Sequence, residues 1–357
     1  MFKKNVVVGI SGGIDSTISI VLLKKKYNVT AIFMRNWENN NSIIKNCKIN
    51  KDIAIAKTIC KKLNVTFKIV NFCLEYWENV FLNTIKEYKK NNTPNPDILC
   101  NKKIKFNIFL RYILSTKTHY IVTGHYSKIK KINNVYLLQT AKDKKKDQTY
   151  FLYILKQKQL KKSIFPLKNY YKKEVRTLAK KINLINYDKK DSTGICFIEN
   201  KNFKVFLQQY IKKKEGVILN EQGLNIGTHD GVYFYTLGQR KNIYIKKNTL
   251  KPWYIIKKLI KKNFIVVTQN KKKLLYTNSL TIKKTNWVLY KPKIKIQPKV
   301  KIRYQQKYQK AFFYCLRKNE CVIAFIKKQK TITLGQSAVA YYFKICIGGG
   351  VITTSTI

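Results

Sequence analysis

Residues 5–23, "NVVVGISGGIDSTISIVLL", contain the feature that most constrains the fold. A short apolar run predicts a buried parallel strand, two adjacent glycines predict a turn, and the apolar spacing that follows predicts a helix. A strand that ends in glycines and opens a helix presents backbone N–H groups to an anion such as phosphate. The lysine of a Walker A loop and the G-x-G-x-x-G dinucleotide pattern are both absent. An ordinary tight strand–helix turn is the alternative interpretation.

Apolar strands alternate with amphipathic helices along the first half of the chain. Further strands are expected at "VTAIFMRNW", "VTFKIVNF" and "HYIVTG", with helices at residues 52–63 and 74–90. This alternation predicts an α/β domain with a doubly wound parallel sheet, which binds its ligands at the carboxyl ends of the strands. The glycine turn and the pair Gly124–His125 both follow such ends.

The pattern changes near residue 200. A glycine-punctuated stretch follows, and after residue 270 the chain consists of short segments with strand character, which predict a small barrel. We therefore expect a parallel-sheet domain at residues 1–200, a small central domain at 201–270 and a C-terminal β-barrel at 271–357.

The charge balance is extreme, with 73 Lys and Arg against 17 Asp and Glu and a net charge of +56. Such a field favours a polyanionic partner, and nucleic acid is the first candidate. Lysine, asparagine, isoleucine and tyrosine are abundant along the whole chain, as in proteins from AT-rich genomes, so basicity alone is weak evidence. The scarce acidic residues are more informative for the same reason.

The eight cysteines form no C-x-x-C pair, and no histidine lies at a zinc-ligand spacing from them. A protein-ligated structural metal is therefore not expected. No apolar run has the length of a membrane span, and the apolar stretch after "MFKK" runs straight into the glycine turn instead of forming a signal peptide. A reducing cytoplasm is the expected location.

One cysteine lies in "NNTPNPDILCNKKIKF", residues 91–106. The prolines predict a stiff non-helical segment, after which Asp97 is expected to cap a helix over residues 98–114. Cys100 would then lie in the first helical turn, where the helix dipole, Lys102 and Lys103 lower the pKa of a thiol and favour the nucleophilic thiolate. An ordinary capped helix with a buried cysteine remains the alternative.

A second cysteine, Cys196, follows a Ser-Thr-Gly turn in "DKKDSTGICFIEN", residues 188–200. A small buried hydrophobe at a strand start is the alternative there. "SGGIDS" resembles the PP-loop of the ATP pyrophosphatase superfamily. With both cysteine motifs and "GQSAVAYYFKICIGGGVI" near the end, the chain resembles the bacterial tRNA-specific 2-thiouridylases from Gly9 to Ile352.

The resemblance implies an enzyme that uses ATP with Mg²⁺ to adenylate the C2 oxygen of the wobble uridine in the anticodon arms of Lys, Glu and Gln tRNAs. Sulfur would arrive as a persulfide on Cys196, supplied by a cysteine desulfurase or a sulfur-relay carrier. Cys100 would complete the transfer and leave a transient Cys100–Cys196 disulfide. Asp97 would be the acid/base or activating carboxylate.

The resemblance also implies three sets of binding residues. The ATP-binding set is Gly9, Ile10, Ser11, Gly12, Gly13, Ile14, Asp15, Ser16, Met34 and Gly124. The target base would contact Asn95, Pro96 and Asp97. The remaining tRNA contacts would be His125, Lys146, Asp147, Gln148, Arg303, Tyr304 and Gln336.

Two other functions fit the sequence. Another PP-loop enzyme, such as an amide-forming synthetase or a 4-thiouridine-type tRNA enzyme, shares the glycine turn, but amide synthesis needs no paired cysteines. A degenerate tRNA-binding protein without catalysis would form no AMP.

Overall fold

The structure is a computed structural model that describes residues 3–38, 48–191, 203–245, 251–270, 276–292, 295–316 and 319–356. The strands and helices of the first domain are β1 Asn5–Ile10, α1 Ile14–Leu23, β2 Asn28–Arg35, α2 Lys48–Lys62, β3 Thr66–Asn71, α3 Cys73–Tyr76, α4 Leu82–Lys89, α5 Pro96–Cys100, α6 Leu110–Leu114, β4 Tyr120–Val122, β5 Ser127–Ile132, β6 Val135–Thr140, α7 Thr149–Leu152, α8 Gln157–Lys161, β7 Ser163–Ile164 and α9 Lys172–Lys181. Two π-helical segments, Trp77–Phe81 and Asn101–Phe109, join α3 to α4 and α5 to α6.

The first domain is built on a parallel five-stranded sheet in the order β3-β2-β1-β4-β7. Successive side chains of β1 point to opposite faces, so that Val7 packs against helices α3 to α6 while Val6 and Val8 pack against α1, α2 and α9. Helices on both faces make the sheet doubly wound. The sequence-based prediction of this fold class is confirmed.

A four-stranded sheet forms the centre of the chain. It follows α10, Phe203–Gln208, and its strands are β8 Gly216–Leu219, β9 Asn225–His229, β10 Tyr254–Leu259 and β11 Phe264–Thr268. The strand order is β10-β11-β8-β9, and its buried side chains form a separate small core.

The last part of the chain is a closed antiparallel barrel. Its strands are β12 Tyr276–Trp287, β13 Lys299–Lys301, β14 Gln309–Cys315, β15 Cys321–Lys330, β16 Ser337–Tyr342 and β17 Ile345–Thr356. The order β12-β15-β14-β13-β16-β17 closes because β17 also pairs with β12. The predicted C-terminal barrel is therefore confirmed.

The β5–β6 hairpin was not expected from the sequence. It lies within the first domain by sequence, yet β6 joins the barrel sheet beside β17. Gln139 pairs with Ile345, and the Thr140 N–H donates to the Lys344 carbonyl at 2.8 Å. The first domain and the barrel consequently share a sheet.

Candidate active site

The glycine turn joins β1 to α1 as the sequence predicts. Gly12 has φ +69°, a left-handed conformation that favours glycine, and a Cβ there would lie 2.7 Å from the Asp52 carbonyl oxygen. Gly13 is the N-cap of α1, and no side chain accepts a hydrogen bond at this helix end. A Cβ on Gly13 would meet only the Ser11 hydroxyl, at 3.4 Å. The helix N-terminus is thus open to an anion.

The hydroxyls of the turn hold the loop in shape. Ser16 Oγ and Thr17 Oγ1 each donate to the Gly13 carbonyl at 3.0 Å, and the Ser11 N–H donates to Ser16 Oγ at 3.2 Å. In the structure Ser16 and Thr17 are buried and their protons are engaged within the loop, so backbone N–H groups are the principal donors.

Gly9, Met34 and Gly124 lie against this loop. A Cβ on Gly9 would be 3.2 Å from the Met34 methyl carbon, and a Cβ on Gly124 would be 2.8 Å from the Ser16 nitrogen. Glycine is therefore needed at position 124 for β4 to approach the start of α1 closely. The structure brings together these three members of the predicted ATP-binding set.

Asp15 is held by side chains that the sequence analysis did not identify. Lys172 donates to the two carboxylate oxygens of Asp15 at 2.6 and 2.7 Å, and the Tyr126 hydroxyl donates to Asp15 Oδ1 at 2.9 Å. Lys172 also lies 2.8 Å from Asp191. The Asp15 carboxylate therefore already has a cation and a hydroxyl donor.

Asp191 continues this ion network. Lys146 lies 2.6 Å from one carboxylate oxygen of Asp191, and Arg176 lies 3.3 Å from the other. Burial alone would raise the pKa of Asp191, but the hydrogen bonds from Lys146 and Lys172 outweigh burial and lower it. Asp191 is therefore ionised at neutral pH and binds three cations.

Asn186 and Lys189, which precede Asp191 in the chain, bind the glycine turn directly. Asn186 Nδ2 donates to the Gly12 carbonyl at 3.1 Å and lies 3.2 Å from Thr17 Oγ1. The Lys189 ammonium donates to the Gly12 carbonyl at 3.2 Å and pairs with Asp52. The segment that precedes Cys196 in the sequence is therefore bound to the glycine turn. Cys196 itself lies outside the described residues.

The helix that carries Cys100 begins earlier than expected. The Asn95 side chain accepts a hydrogen bond from the Ile98 N–H at 3.3 Å, and Pro96 is the first residue of α5. The prediction that Asp97 caps this helix is wrong, because an Asn-Pro pair supplies both a cap and a preset first turn. Cys100 consequently lies in the second turn, beyond the strongest effect of the helix dipole.

Asp97 and Cys100 lie in an apolar environment. Burial raises the pKa of the Asp97 carboxyl, and the positive charge of Lys105 opposes that rise only in part. Cys100 is 2% exposed within the core formed by α3 to α6. The π-helical segment starts at the next residue, Asn101. Such wide turns are frequent at functional sites.

Three parts of the chain meet at Thr93, just before Asn95. The Thr93 N–H donates to the Leu334 carbonyl at 2.8 Å, and Gln336 Nε2 donates to the Thr93 carbonyl at 2.8 Å. The Thr93 hydroxyl lies 3.1 Å from that of Thr236 in the central domain. Gln336, a predicted tRNA contact, therefore lies beside the predicted base-contacting segment.

Gly335 makes this contact possible. It has φ +86°, and a Cβ there would lie 2.9 Å from the Thr93 nitrogen. The barrel and the segment that precedes Cys100 thus approach each other at backbone distance.

The other predicted tRNA contacts of the first domain are largely enclosed. His125 is buried between Phe106 and Phe165. Its Nδ1 atom shares a hydrogen bond of 2.8 Å with the Thr123 hydroxyl. Burial holds the pKa of His125 well below its usual value. Asp147 is also buried. Its carboxylate accepts hydrogen bonds from the Ala141 N–H and the Thr149 hydroxyl.

Lys146 reaches Asp191, as described above, and Gln148 accepts a hydrogen bond from the Tyr126 N–H at 2.9 Å. In the barrel, the Arg303 guanidinium donates to the Thr331 carbonyl while its side chain stays exposed. The Tyr304 ring packs against Phe151, with centroids 4.6 Å apart. Arg303 is therefore the most accessible of these residues.

Among the described residues, no group of three His, Cys, Asp or Glu side chains could hold a metal ion. None of the helices in the described ranges is long and apolar enough to cross a membrane.

Comparison with known proteins covers nearly the whole chain. Three family models match: the "tRNA methyl transferase HUP domain" at residues 4–200, the "tRNA methyl transferase PRC-barrel domain" at 204–269 and the "Aminomethyltransferase beta-barrel domain" at 277–352. A tRNA-specific 2-thiouridylase MnmA from Buchnera aphidicola is 46% identical over 98% of this chain and 97% of its own length. A protein of the same name from Francisella tularensis subsp. novicida is 43% identical over 99% of this chain and 100% of its own. This full-length similarity, together with the geometry of the glycine turn, shows that the chain belongs to the tRNA-specific 2-thiouridylase family.

Proposed function

We propose that the protein catalyses ATP-dependent 2-thiolation of the wobble uridine in Lys, Glu and Gln tRNAs. The observation that carries the proposal is the attachment of the segment before Cys196 to the glycine turn, through Asn186, Lys189 and Lys172 with Asp191. Cys196 follows Asp191 by five residues, and five residues of extended chain span at most about 18 Å. This length limits how far Cys196 can lie from Asp191, which supports a nucleophile that works together with the phosphate site.

The ATP step uses the N-terminus of α1. The open position at Gly13 and the left-handed Gly12 let the backbone approach a pyrophosphate group, which the helix dipole favours. Met34 and Gly124 would contact the adenosine. ATP would enter as its Mg²⁺ complex, and the Lys172 ammonium, which binds Asp15 in this structure, would move toward the new negative charge.

Adenylation turns a poor leaving group into a good one. The uridine C2 oxygen attacks the α-phosphorus, and pyrophosphate leaves. The terminal sulfur of the Cys196 persulfide then attacks C2, and AMP departs with the oxygen. Cys100 attacks the Cys196 sulfur, which releases 2-thiouridine and leaves the Cys100–Cys196 disulfide.

An external thiol reductant must then reduce the disulfide and regenerate the Cys100 and Cys196 thiols. A cysteine desulfurase or a sulfur-relay carrier supplies the next persulfide, and a reducing cytoplasm suits both steps. Burial raises the pKa of the Asp97 carboxyl above its usual value, which favours a role for this group in proton transfer near the C2 oxygen.

The tRNA would approach from the barrel side. Asn95, Pro96 and Asp97 would contact a flipped base, which is readily extruded from an unpaired anticodon loop. Gln336 lies beside them, and Arg303 is exposed for a phosphate contact. The enclosed positions of His125 and Asp147 fit contacts with an inserted nucleotide or support of the pocket walls, not contacts with the outer RNA backbone.

We assign residues 1–200 to catalysis, 201–270 to a central adaptor and 271–357 to tRNA contact. In this arrangement the central domain supports the base pocket through Thr236.

The test is mass spectrometry of nucleosides from Lys, Glu and Gln tRNAs after incubation with the protein, Mg-ATP and a persulfide donor. We expect replacement of one oxygen by sulfur at the wobble uridine, together with AMP release. The Cys100→Ser and Cys196→Ser variants should lose sulfur transfer. A Cys73→Ser variant, which changes a partly exposed cysteine away from Cys100, should keep it.

Gain of a methyl group in place of sulfur would overturn the proposal and favour the activity named in the descriptions of the first two family models. Sulfur transfer that persists without Cys100 and Cys196 would refute the persulfide route.

A further inference from the structure

Cys315 and Cys321 face each other across the β14–β15 hairpin, far along the chain from the proposed active-site cysteines. They are directly paired in the strand register, and their sulfur atoms lie 2.9 Å apart. On the next rung the Leu316 N–H donates to the Glu320 carbonyl at 2.9 Å. Because rung types alternate in an antiparallel pair, the two cysteines occupy a non-hydrogen-bonded rung, where side chains are closest.

This placement suits a covalent bond between the sulfurs. A disulfide needs a sulfur–sulfur distance of about 2.05 Å, so closure requires a side-chain displacement of only about 1 Å. The strands themselves are already paired on both sides of the rung and need not move.

The two thiols differ in accessibility. Cys321 is fully buried, whereas Cys315 is partly exposed at a shallow surface depression lined also by Lys291, Leu316 and Glu320. The Lys291 ammonium donates to the Leu316 carbonyl at 3.1 Å, which holds a positive charge beside the hairpin. A molecule from solution can therefore reach Cys315 but not Cys321.

The two thiols also differ in reactivity. The Cys321 S–H donates to the Cys315 sulfur, which lowers the pKa of the Cys315 thiol; burial opposes this effect and Lys291 adds to it. The same hydrogen bond and burial raise the pKa of Cys321. By contrast, burial raises the pKa of the lone Cys73 to about 11. Cys315 is thus the nucleophile of the pair, and Cys321 is placed to act second.

We propose that Cys315 and Cys321 form a redox-active dithiol that exchanges with low-molecular-weight disulfides. The Cys315 thiolate attacks one sulfur of the small disulfide, forms a mixed disulfide and releases the first small thiolate. Cys321 loses its proton and attacks the Cys315 sulfur, which forms the cross-strand disulfide and releases the second thiolate. The protein dithiol loses two electrons, and the small disulfide gains them.

Oxidised glutathione is the probe. The full chain is first reduced and then exposed to oxidised glutathione, after which free thiols are trapped with a maleimide and the peptides are identified by mass spectrometry. We expect a peptide pair linked through Cys315 and Cys321. A Cys100–Cys196 link involves different peptides, so the two disulfides are counted separately, and failure of one says nothing about the other.

A trapping variant and an internal control make the test decisive. In Cys321→Ser, the mixed disulfide at Cys315 should accumulate, because the second thiol is gone. In the unchanged chain at neutral pH, Cys315 should react at least about tenfold faster than Cys73. No cross-strand link in the unchanged chain, or reaction of Cys315 no faster than that of Cys73, would overturn the proposal.

Discussion

The glycine turn and the Thr93–Asp97 segment are the two halves of the candidate active site, and they are held in different ways. The glycine turn is fixed from within its own domain, by its own hydroxyls and by charged groups such as Lys172 and Lys189. The Thr93–Asp97 segment is fixed by uncharged hydrogen bonds from the central domain and the barrel. The contacts of the first half therefore lie within one part of the chain, whereas the second half is also held by hydrogen bonds from the central sheet region and the barrel.

This difference predicts that the two halves can be damaged separately. Changes at the glycine turn should stop ATP chemistry and leave tRNA binding intact. Changes at the barrel contact should impair sulfur transfer to tRNA while ATP binding continues.

The largest effect is expected for Gly12→Val. The new side chain would meet the Asp52 carbonyl at 2.7 Å in a backbone conformation that valine resists. We expect AMP formation to fall at least about 100-fold, which corresponds to about 3 kcal/mol. Release of AMP and pyrophosphate measures this loss, and a filter-binding assay should show nearly unchanged tRNA affinity.

Gly13→Ala is the matched change in the same turn. Gly13 has φ −88°, and a Cβ there would contact only the Ser11 hydroxyl, at 3.4 Å, so the melting temperature should stay at the parent value while ATP affinity falls. AMP formation at the parent rate by Gly12→Val would rule out a phosphate-binding role for the turn.

An intermediate effect is expected for Gly335→Ala. Its Cβ would press on the Thr93 nitrogen at 2.9 Å and separate the barrel from the base-contacting segment. We expect tRNA thiolation to fall about tenfold, or about 1.4 kcal/mol in transition-state stabilisation. ATP affinity, measured by calorimetry, should not change.

Gly223→Ala controls for backbone strain. Gly223 has φ +84°, nearly the same as Gly335, but nothing lies within 4 Å of its Cβ position. Equal losses of thiolation in the two variants would mean that strain alone is responsible and that the barrel contact does not matter.

The smallest effect is expected for Lys172→Met. Methionine fills similar space, but it leaves the Asp15 and Asp191 carboxylates without their shared cation. Because both carboxylates are about one-third exposed, solvent screens part of the loss, and we expect destabilisation of about 1 kcal/mol. Urea unfolding measures it, and AMP formation should fall with it.

Lys142→Met removes a cation from an exposed ion pair with Glu174, which lies on the same helix as Lys172. Its unfolding curve should match that of the parent. If the two lysine variants unfold alike, the charged network around the glycine turn contributes nothing specific.

Local patterns in the sequence predicted the sheet and the glycine turn, because strand alternation and the turn at Gly12 depend on neighbours in the chain. The partners of the turn were missed, since Lys172 and Asn186 lie 157 and 174 residues from the atoms they bind. Asp191 was the one sequence signal that could have indicated this network, because it is a scarce acidic residue within the Cys196 motif. The start of the helix was predicted too late in the chain, because the cap was assigned to Asp97. In the structure Asn95 is the cap and Pro96 is the first helical residue.

The π-helical turn after Cys100 also escaped prediction. Its sequence, "NKKIKFNIF", has no feature that separates a wide turn from an α-helical one. Phe106 and Phe109 of this segment are buried in the core, an environment that a local pattern does not reveal.

The β5–β6 hairpin affects how the protein folds while it is synthesised on the ribosome. Gln139 has no pairing partner on β17 until Ile345 has been synthesised, 206 residues later. At usual synthesis rates this interval is about 10–40 s, far longer than the microseconds in which a hairpin forms. During that time the edge of β6 that pairs with β17 has no partner strand and is open to another nascent chain. Only when β17 emerges is that edge covered, so this strand completes the first domain as well as the barrel.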